Sequence, residues 1–177
     1  MTIALLPLMR ISEQTLKDLK VEIGNTFLSK VEILAPVNSL PESTYDKAKE
    51  QYDADKVVNF LIDKTKDIDA EKILVVMAGD LFVSGMNFVY GAAQKGGRLC
   101  LISLYRLDQR FYGKESSYDT FKERAVKEAI HELAHCYGLD HCKSKSCVMA
   151  FSNHIGSVDE KAKAFCDPCR GALRKAL

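Results

Sequence analysis

The sequence lacks an excess of either charge: 25 lysines and arginines face 24 aspartates and glutamates, a net charge of +1. That balance argues against a dedicated nucleic-acid or membrane-surface binder, which needs a strongly basic face to meet a polyanion. No apolar run approaches the roughly 20 residues of a membrane-crossing helix. The first apolar stretch, Thr2 to Leu8, has no basic segment before it and no small-residue cleavage site after it, so it does not read as a secretory leader. Internal repeats and low-complexity stretches are absent as well. What remains is the profile of a cytoplasmic globular chain, expected to be a monomer, with 47% hydrophobic and 28% charged residues. Its 177 residues suit a single domain, with an N-terminal lobe over 1–139 and a small C-terminal lobe over 140–177.

Histidine is scarce, at four residues, yet three fall in one short run, His131-Glu-Leu-Ala-His-Cys-Tyr-Gly-Leu-Asp-His141. On a helix, positions four apart share a face, so His131 and His135 present two imidazoles to one point. Glu132 stands beside them, placed to hold a metal-bound water without ligating the metal. Gly138 lets the backbone leave the helix in a left-handed turn and returns His141 as a third nitrogen ligand. Three protein ligands leave the fourth position of a zinc ion open to water, the mark of a catalytic site rather than a closed structural one. A bare H-E-x-x-H arises by chance on amphipathic helices; the added glycine and third histidine weigh against chance here.

Cysteine follows a similar pattern. In an intracellular chain, six cysteines favour metal binding or catalysis over disulfides. Cys100 lies in an apolar run and reads as a buried thiol, and Cys136, turned away from His135 on the helix, reads as packing. Cys142 with Cys147, and Cys166 with Cys169, form two close pairs that can surround one ion tetrahedrally. Cys166-Asp-Pro-Cys169 has the form of a redox C-x-P-C, but too little chain follows it for the helix that motif needs. Lys143, Lys145, Lys161, Lys163, Arg170, Arg174 and Lys175 read as a solvated basic surface, and His154 as a loop histidine. Arg106, Arg110 and Tyr112 suit either a structural ion pair or a substrate carboxylate.

Apolar patterning predicts strands over Thr2–Leu8, Val31–Val37, Lys72–Ala78 and Arg98–Tyr105. Helices are predicted after Ser12, with Leu16, Leu19, Val21, Ile23 and Phe27 on the apolar face, and from Tyr52 to Lys66, with Val57, Val58, Phe60, Leu61 and Ile62. Residues 38–50 read as irregular and 80–86 as turn-like. Asn87–Ala93 reads as a short strand which, joined to the next by a Gly96-Gly97 link, must be antiparallel to it. A long helix with a capping box at Thr120 and Glu123 carries the motif to Gly138. The fold class expected is α/β, a twisted mixed sheet of mostly parallel strands with one antiparallel edge, packed on helices and extended by the C-terminal lobe.

With these residues assembled, the chain resembles the archaemetzincins, zinc metallopeptidases of the metzincin clan. The family pattern continues the histidine motif with a cysteine, a C-x-M and a C-x-x-C, matched by Cys142, by Cys147-Val-Met149 and by Cys166 and Cys169. The sixteen residues between Met149 and Cys166 are one fewer than the family spacing. Ile102–Leu107 with Phe111-Tyr112, and Phe151-Ser-Asn153, also resemble family segments. The resemblance implies that Met149 is the Met-turn residue packed beneath the zinc ligands. It also implies a second, structural zinc on Cys142, Cys147, Cys166 and Cys169. Other metzincins can carry a tyrosine two residues after that methionine; here the position is Phe151, so a tyrosine-assisted site would need Tyr112 or Tyr137.

The function expected is hydrolysis of peptide bonds by a zinc-bound water, with Glu132 as general base. A peptide or protein substrate would lie extended along Asn87, Phe88, Val89 and Tyr90, with Gly85 and Gly91 permitting close backbone approach. Aminopeptidase and endopeptidase action both remain open. The rival is a non-catalytic, zinc-containing peptide- or protein-binding module, against which Glu132 speaks because such a module needs no base there.

Overall fold

The computed structural model describes all 177 residues. In chain order the elements are β1 (Thr2–Leu8), α1 (Glu13–Phe27), β2 (Lys30–Ile33), β3 (Tyr45–Asp46), β4 (Gln51–Asp53), α2 (Ala54–Thr65) and β5 (Lys72–Met77). There follow β6 (Leu81–Val83), β7 (Met86–Val89), β8 (Gly91–Ala93), β9 (Leu99–Ser103), α3 (Tyr118–Cys136), α4 (Ile155–Glu160) and α5 (Asp167–Ala176). The main sheet has the order β2-β1-β5-β9-β8; its first three pairings are parallel and the β8–β9 edge is antiparallel. Chain direction reverses at the Gly96-Gly97 link, too short for a crossover, so the edge is antiparallel as expected.

Both faces of this sheet are covered, which is why β1 and β5 are apolar almost throughout rather than alternating. Ile3, Leu5, Leu74, Val76, Cys100 and Ile102 face α1 and α3, while Ala4, Leu6, Ile73, Val75, Leu99 and Leu101 face α2. The large core on the first side also takes in Val148, Met149, Val158, Phe165 and Leu173, so the C-terminal segment packs into the same hydrophobic body as α3. Each such buried aliphatic side chain stabilises the fold by about 1.5–3 kcal/mol.

Several local expectations give way to tertiary contacts. The strand after α1 ends at Ile33; the chain detaches before Pro36, which has no N–H to give, and touches the sheet again only where Val37 donates to Pro7 O at 2.9 Å. Tyr52 and Asp53, expected to begin a helix, instead belong to β4, which pairs with β6 in a second sheet of order β3-β4-β6-β7, and Asp53 caps α2. The turn-like 80–86 segment therefore contains a strand, β6. Helix α3 starts two residues before Thr120, because Ser117 Oγ accepts from Thr120 N at 3.3 Å; the Thr120–Glu123 capping box does not form. Val21 and Ile62 are 59% and 42% exposed, off the buried faces of their helices.

Charged side chains tie α3 to the C-terminal segment. Arg124 holds Asp159 through two hydrogen bonds of 2.7 Å, and Lys127 Nζ donates to Asp159 O at 3.2 Å. Lys161, expected in solvent, is instead fully buried, its Nζ 2.8 Å from Glu128 Oε1. No helix is long and apolar enough to cross a membrane.

Candidate active site

The packing of α3 on the sheet immobilises its last turn, and with it His131 and His135. Each ring is oriented through Nδ1, which donates to Val148 O at 2.8 Å in His131 and to Leu139 O at 2.7 Å in His135. Both Nε2 atoms are thereby left as lone-pair nitrogens, and they lie only 3.1 Å apart. Two lone pairs so close repel unless a cation lies between them. Tetrahedral zinc, with bonds of about 2.0–2.1 Å, separates its nitrogen ligands by about 3.3–3.4 Å. Gly138, at φ +89°, turns the chain so that the His141 ring comes 5.2 Å from that of His131 and 4.8 Å from that of His135. The three candidate ligand atoms all fall within 4.8 Å of one another. Burial lowers the proton affinity of all three imidazoles, with Lys161 adding to the effect at His131, and neutral imidazole is the form that binds metal. The residues present fit zinc.

Glu132, 6% exposed, adjoins this cluster on α3. Burial, and then the neighbouring Glu128, push its carboxyl well above the usual range, while Lys161 opposes them. Its side chain lies against Gly91 of the edge strand, where a Cβ would come within 2.6 Å of Glu132 Cγ and Oε1. The close approach that Gly91 permits is therefore to Glu132. Gly85 has open space around it and serves the β6–β7 turn at φ +84°.

A cleft of about 430 Å³ opens over these groups, lined by Phe88, Val89, Tyr90 and Gly91 on one side and by His131, Glu132 and His135 on the other. Two roomier depressions, of about 590 and 660 Å³, contain no histidine or cysteine. Tyr90 O and Gln94 N bond to β9, so the alternation of an antiparallel ladder turns the backbone groups of Gly91 and Ala93 to the open edge. Lys95, just past the edge, pairs with Asp140, one residue before His141, at one end of the cleft.

The four cysteines converge too. Their sulfurs lie within 4.8 Å of one another, with Cys142 and Cys166 3.7 Å apart. A disulfide would require about 2.0 Å, whereas thiolates on tetrahedral zinc at about 2.3 Å stand about 3.8 Å apart. Cys166 precedes α5, and the Cys169 backbone N–H, with the other thiols, brings its pKa down to about 7. Cys142 N donates to Met149 O at 2.8 Å, and the Met149 side chain is fully buried.

Of the substrate residues expected along 87–90, Phe88, Val89 and Tyr90 reach the cleft wall. Asn87 does not; its carbonyl accepts from Gln51 Nε2 at 2.9 Å. The segment is split at the buried Tyr90, so that β7 belongs to the second sheet and β8 alone forms the open edge. Arg106 is a structural residue, bonded twice to Asp80 at 2.8 Å and stacked on Phe88, 4.2 Å from the ring centre. Arg110 pairs with Asp108, and His154 caps α4. Tyr112 donates to Arg106 O and Tyr137 stacks on Phe27, so neither lines the cleft; Phe151 sits against His141. Cys100 and Cys136 are both fully buried. Lys95, Glu128, Asp140 and Ser152 also line the cleft, and the sequence had assigned none of them a role there.

Comparison with known proteins places this geometry in context. The model of peptidase family M54 matches residues 9–175. Archaemetzincin of Methanocaldococcus jannaschii is 38% identical over 174 residues, covering 98% of this chain and 93% of that protein. Its counterpart in Pyrococcus abyssi is 46% identical over 112 residues, 63% of this chain and 60% of that protein. The crystal structure of the Archaeoglobus fulgidus archaemetzincin complexed with malonate superposes with a TM-score of 0.84 at 31% identity, covering 97% of this chain and 99% of that one. A zinc-dependent peptidase from Methanocorpusculum labreanum superposes at 0.85 and 28% identity, over 97% and 99% of the two chains. With a family match over nearly its whole length, and with histidine and cysteine clusters suited to zinc, this chain belongs to peptidase family M54, the archaemetzincin family of zinc metallopeptidases.

Proposed function

We propose that this chain hydrolyses peptide bonds, with His131, His135 and His141 holding a catalytic zinc and Glu132 acting as general base. The observation that carries the reading is the pair of Nε2 lone pairs 3.1 Å apart, each ring fixed through Nδ1, beside a buried carboxylate in an open cleft. When bound, zinc supplies Lewis acidity, polarising a carbonyl and acidifying water. Glu132 takes the proton of the attacking water and returns it to the leaving amine. Gly91 and Ala93 offer outward backbone groups to an extended substrate, which adds to the sheet as a further strand.

Cys142, Cys147, Cys166 and Cys169 would hold a second, structural zinc. Because Cys142 follows His141 directly, that site sets the path of the loop carrying the third histidine. Incubation of the zinc-loaded protein with a mixed peptide library, with products read by mass spectrometry, tests the function. New termini absent from a Glu132→Ala control support it, and their positions distinguish trimming from internal cleavage. A library left intact by the zinc-loaded protein overturns it.

A further inference from the structure

The parallel strands of the main sheet end at a crevice that peptide hydrolysis leaves unused. After β1 the chain turns onto the face covered by α1; after β5 it turns to the opposite face, where Leu81 joins the core beneath α2. β1 and β5 are neighbours in the sheet. Chains leaving two adjacent strands for opposite faces open a gap at the strands' carboxyl ends, the place where open parallel sheets bind ligands. The depression of about 590 Å³ lies there: Arg10 and Ser12 follow β1, Ala78 follows β5 and Tyr105 follows β9. Its size falls within the range of about 300–1,000 Å³ usual for small-molecule sites. It shares no residue with the cleft over His131. Along α3, the rise from Phe121 at its rim to His131 is about 15 Å.

The lining of the crevice defines what it would take. Tyr105, Phe111 and Tyr118 are 48, 41 and 42% exposed, and all three face this one hollow. Tyr105 and Phe111 meet edge to face, with 5.5 Å between ring centres. Aromatic surface gathered at a concave site and left open to water suits a flat apolar ligand. Charge narrows the choice further. Arg110 is held by Asp108 through bonds of 2.9 and 3.1 Å, whereas Arg10 takes part in none of the ion pairs of the chain. Glu13, the acidic residue nearest to Arg10 in sequence, is paired with Lys17 at 3.2 Å. Two guanidiniums and one carboxylate leave the hollow with one positive charge in excess.

We propose that this crevice is a second ligand site, which takes a flat aromatic ring carrying an anionic group. The ring lies against Tyr105, Phe111 and Tyr118, and Arg10 meets the anion. A nucleoside phosphate and an aromatic carboxylate both offer that chemistry. Calorimetry on the zinc-loaded protein distinguishes them with two probe pairs, AMP against adenosine and N-acetylphenylalanine against its amide. In one pair the anionic probe should bind about tenfold or more tighter than its neutral counterpart, and that pair identifies the source. Arg10→Ala should bring the anionic probe down to the level of the neutral one, while Phe111→Ala should weaken both. Both side chains lie at the surface, so each variant should melt as the native protein does. An anion bound at the histidines instead would bind Arg10→Ala as tightly as the native protein, and that result overturns the crevice. Unchanged binding in Phe111→Ala, equal affinities within both pairs, or no binding of any probe at millimolar concentration overturns it as well.

Discussion

Gly91 on the edge strand and Glu132 on the active-site helix are in van der Waals contact, with no room between them for a methyl group: a Cβ on Gly91 would stand 2.6 Å from Glu132 Cγ and Oε1. The glycine is required by this approach rather than by its backbone conformation. Gly91→Ala must therefore displace either the carboxylate or the strand. A shift of about 1 Å in a reacting group costs about 100-fold in rate, so kcat should fall by about that factor with zinc content unchanged. Steady-state kinetics beside metal analysis check this; a native kcat would show that Glu132 need not sit where it does.

Glu132→Ala removes the proposed base but none of the candidate ligands. Hydrolysis should drop by about 10²–10⁴-fold while metal content and thermal stability stay near native. Peptide turnover at the native rate would exclude Glu132 as the base.

The two proposed metal sites should respond differently to a chelator. His141 is exposed, whereas Cys147 is buried and its three partners half-buried. One equivalent of zinc should leave rapidly and take activity with it, and a second should leave only on denaturation. Release of both together, or a total of one equivalent, would count against separate sites.

Cys166→Ser leaves the sulfur cluster one ligand short. Because metal binding there is coupled to folding, the variant should lose one zinc, melt at a lower temperature and become protease-sensitive after about residue 142, with α3 still formed. Full zinc content and unchanged melting would remove the cysteines from metal binding.

Breaking the Lys161–Glu128 pair tests the electrostatic tie between α3 and the C-terminal segment. Lys161→Met leaves a buried carboxylate without its counter-charge and should destabilise the fold by about 3–5 kcal/mol in urea titration. Adding Glu128→Leu should recover much of that loss, since an apolar pair of similar volume needs no charge balance. A double variant as unstable as the single one would mean that packing, not charge, dominates there.

What could be read from the sequence was what depends on local spacing. His131, His135 and the turn at Gly138 follow from helix geometry, and the cysteine pairs from their short separations. The parallel sheet follows from apolar runs such as Lys72–Met77, and the antiparallel edge from the length of the Gly96-Gly97 link. Contacts between distant residues were not legible. Lys161 looks like one of seven basic surface residues until α3 brings Glu128 to it. Ser152 lies in a segment with no periodic pattern to place it in the cleft. Tyr90 divides what reads as one strand because its ring is drawn into the core, leaving β7 and β8 in different sheets. The Thr120 capping box failed for a local reason: Ser117, three residues earlier, captures the same backbone N–H.

The edge of the main sheet beside the cleft is only three residues long, and that brevity bears on how this face of the protein behaves in company. An exposed strand edge will pair with any extended chain, including another copy of itself, and long flat edges seed aggregates. Here only Gly91 and Ala93 turn outward, and the charged Lys95 follows within two residues. Such a stub can hold a passing peptide for a moment but offers too few rungs to template a growing stack. The same shortness limits how firmly any peptide backbone is gripped, and so shifts discrimination among chains onto the side-chain walls of the cleft.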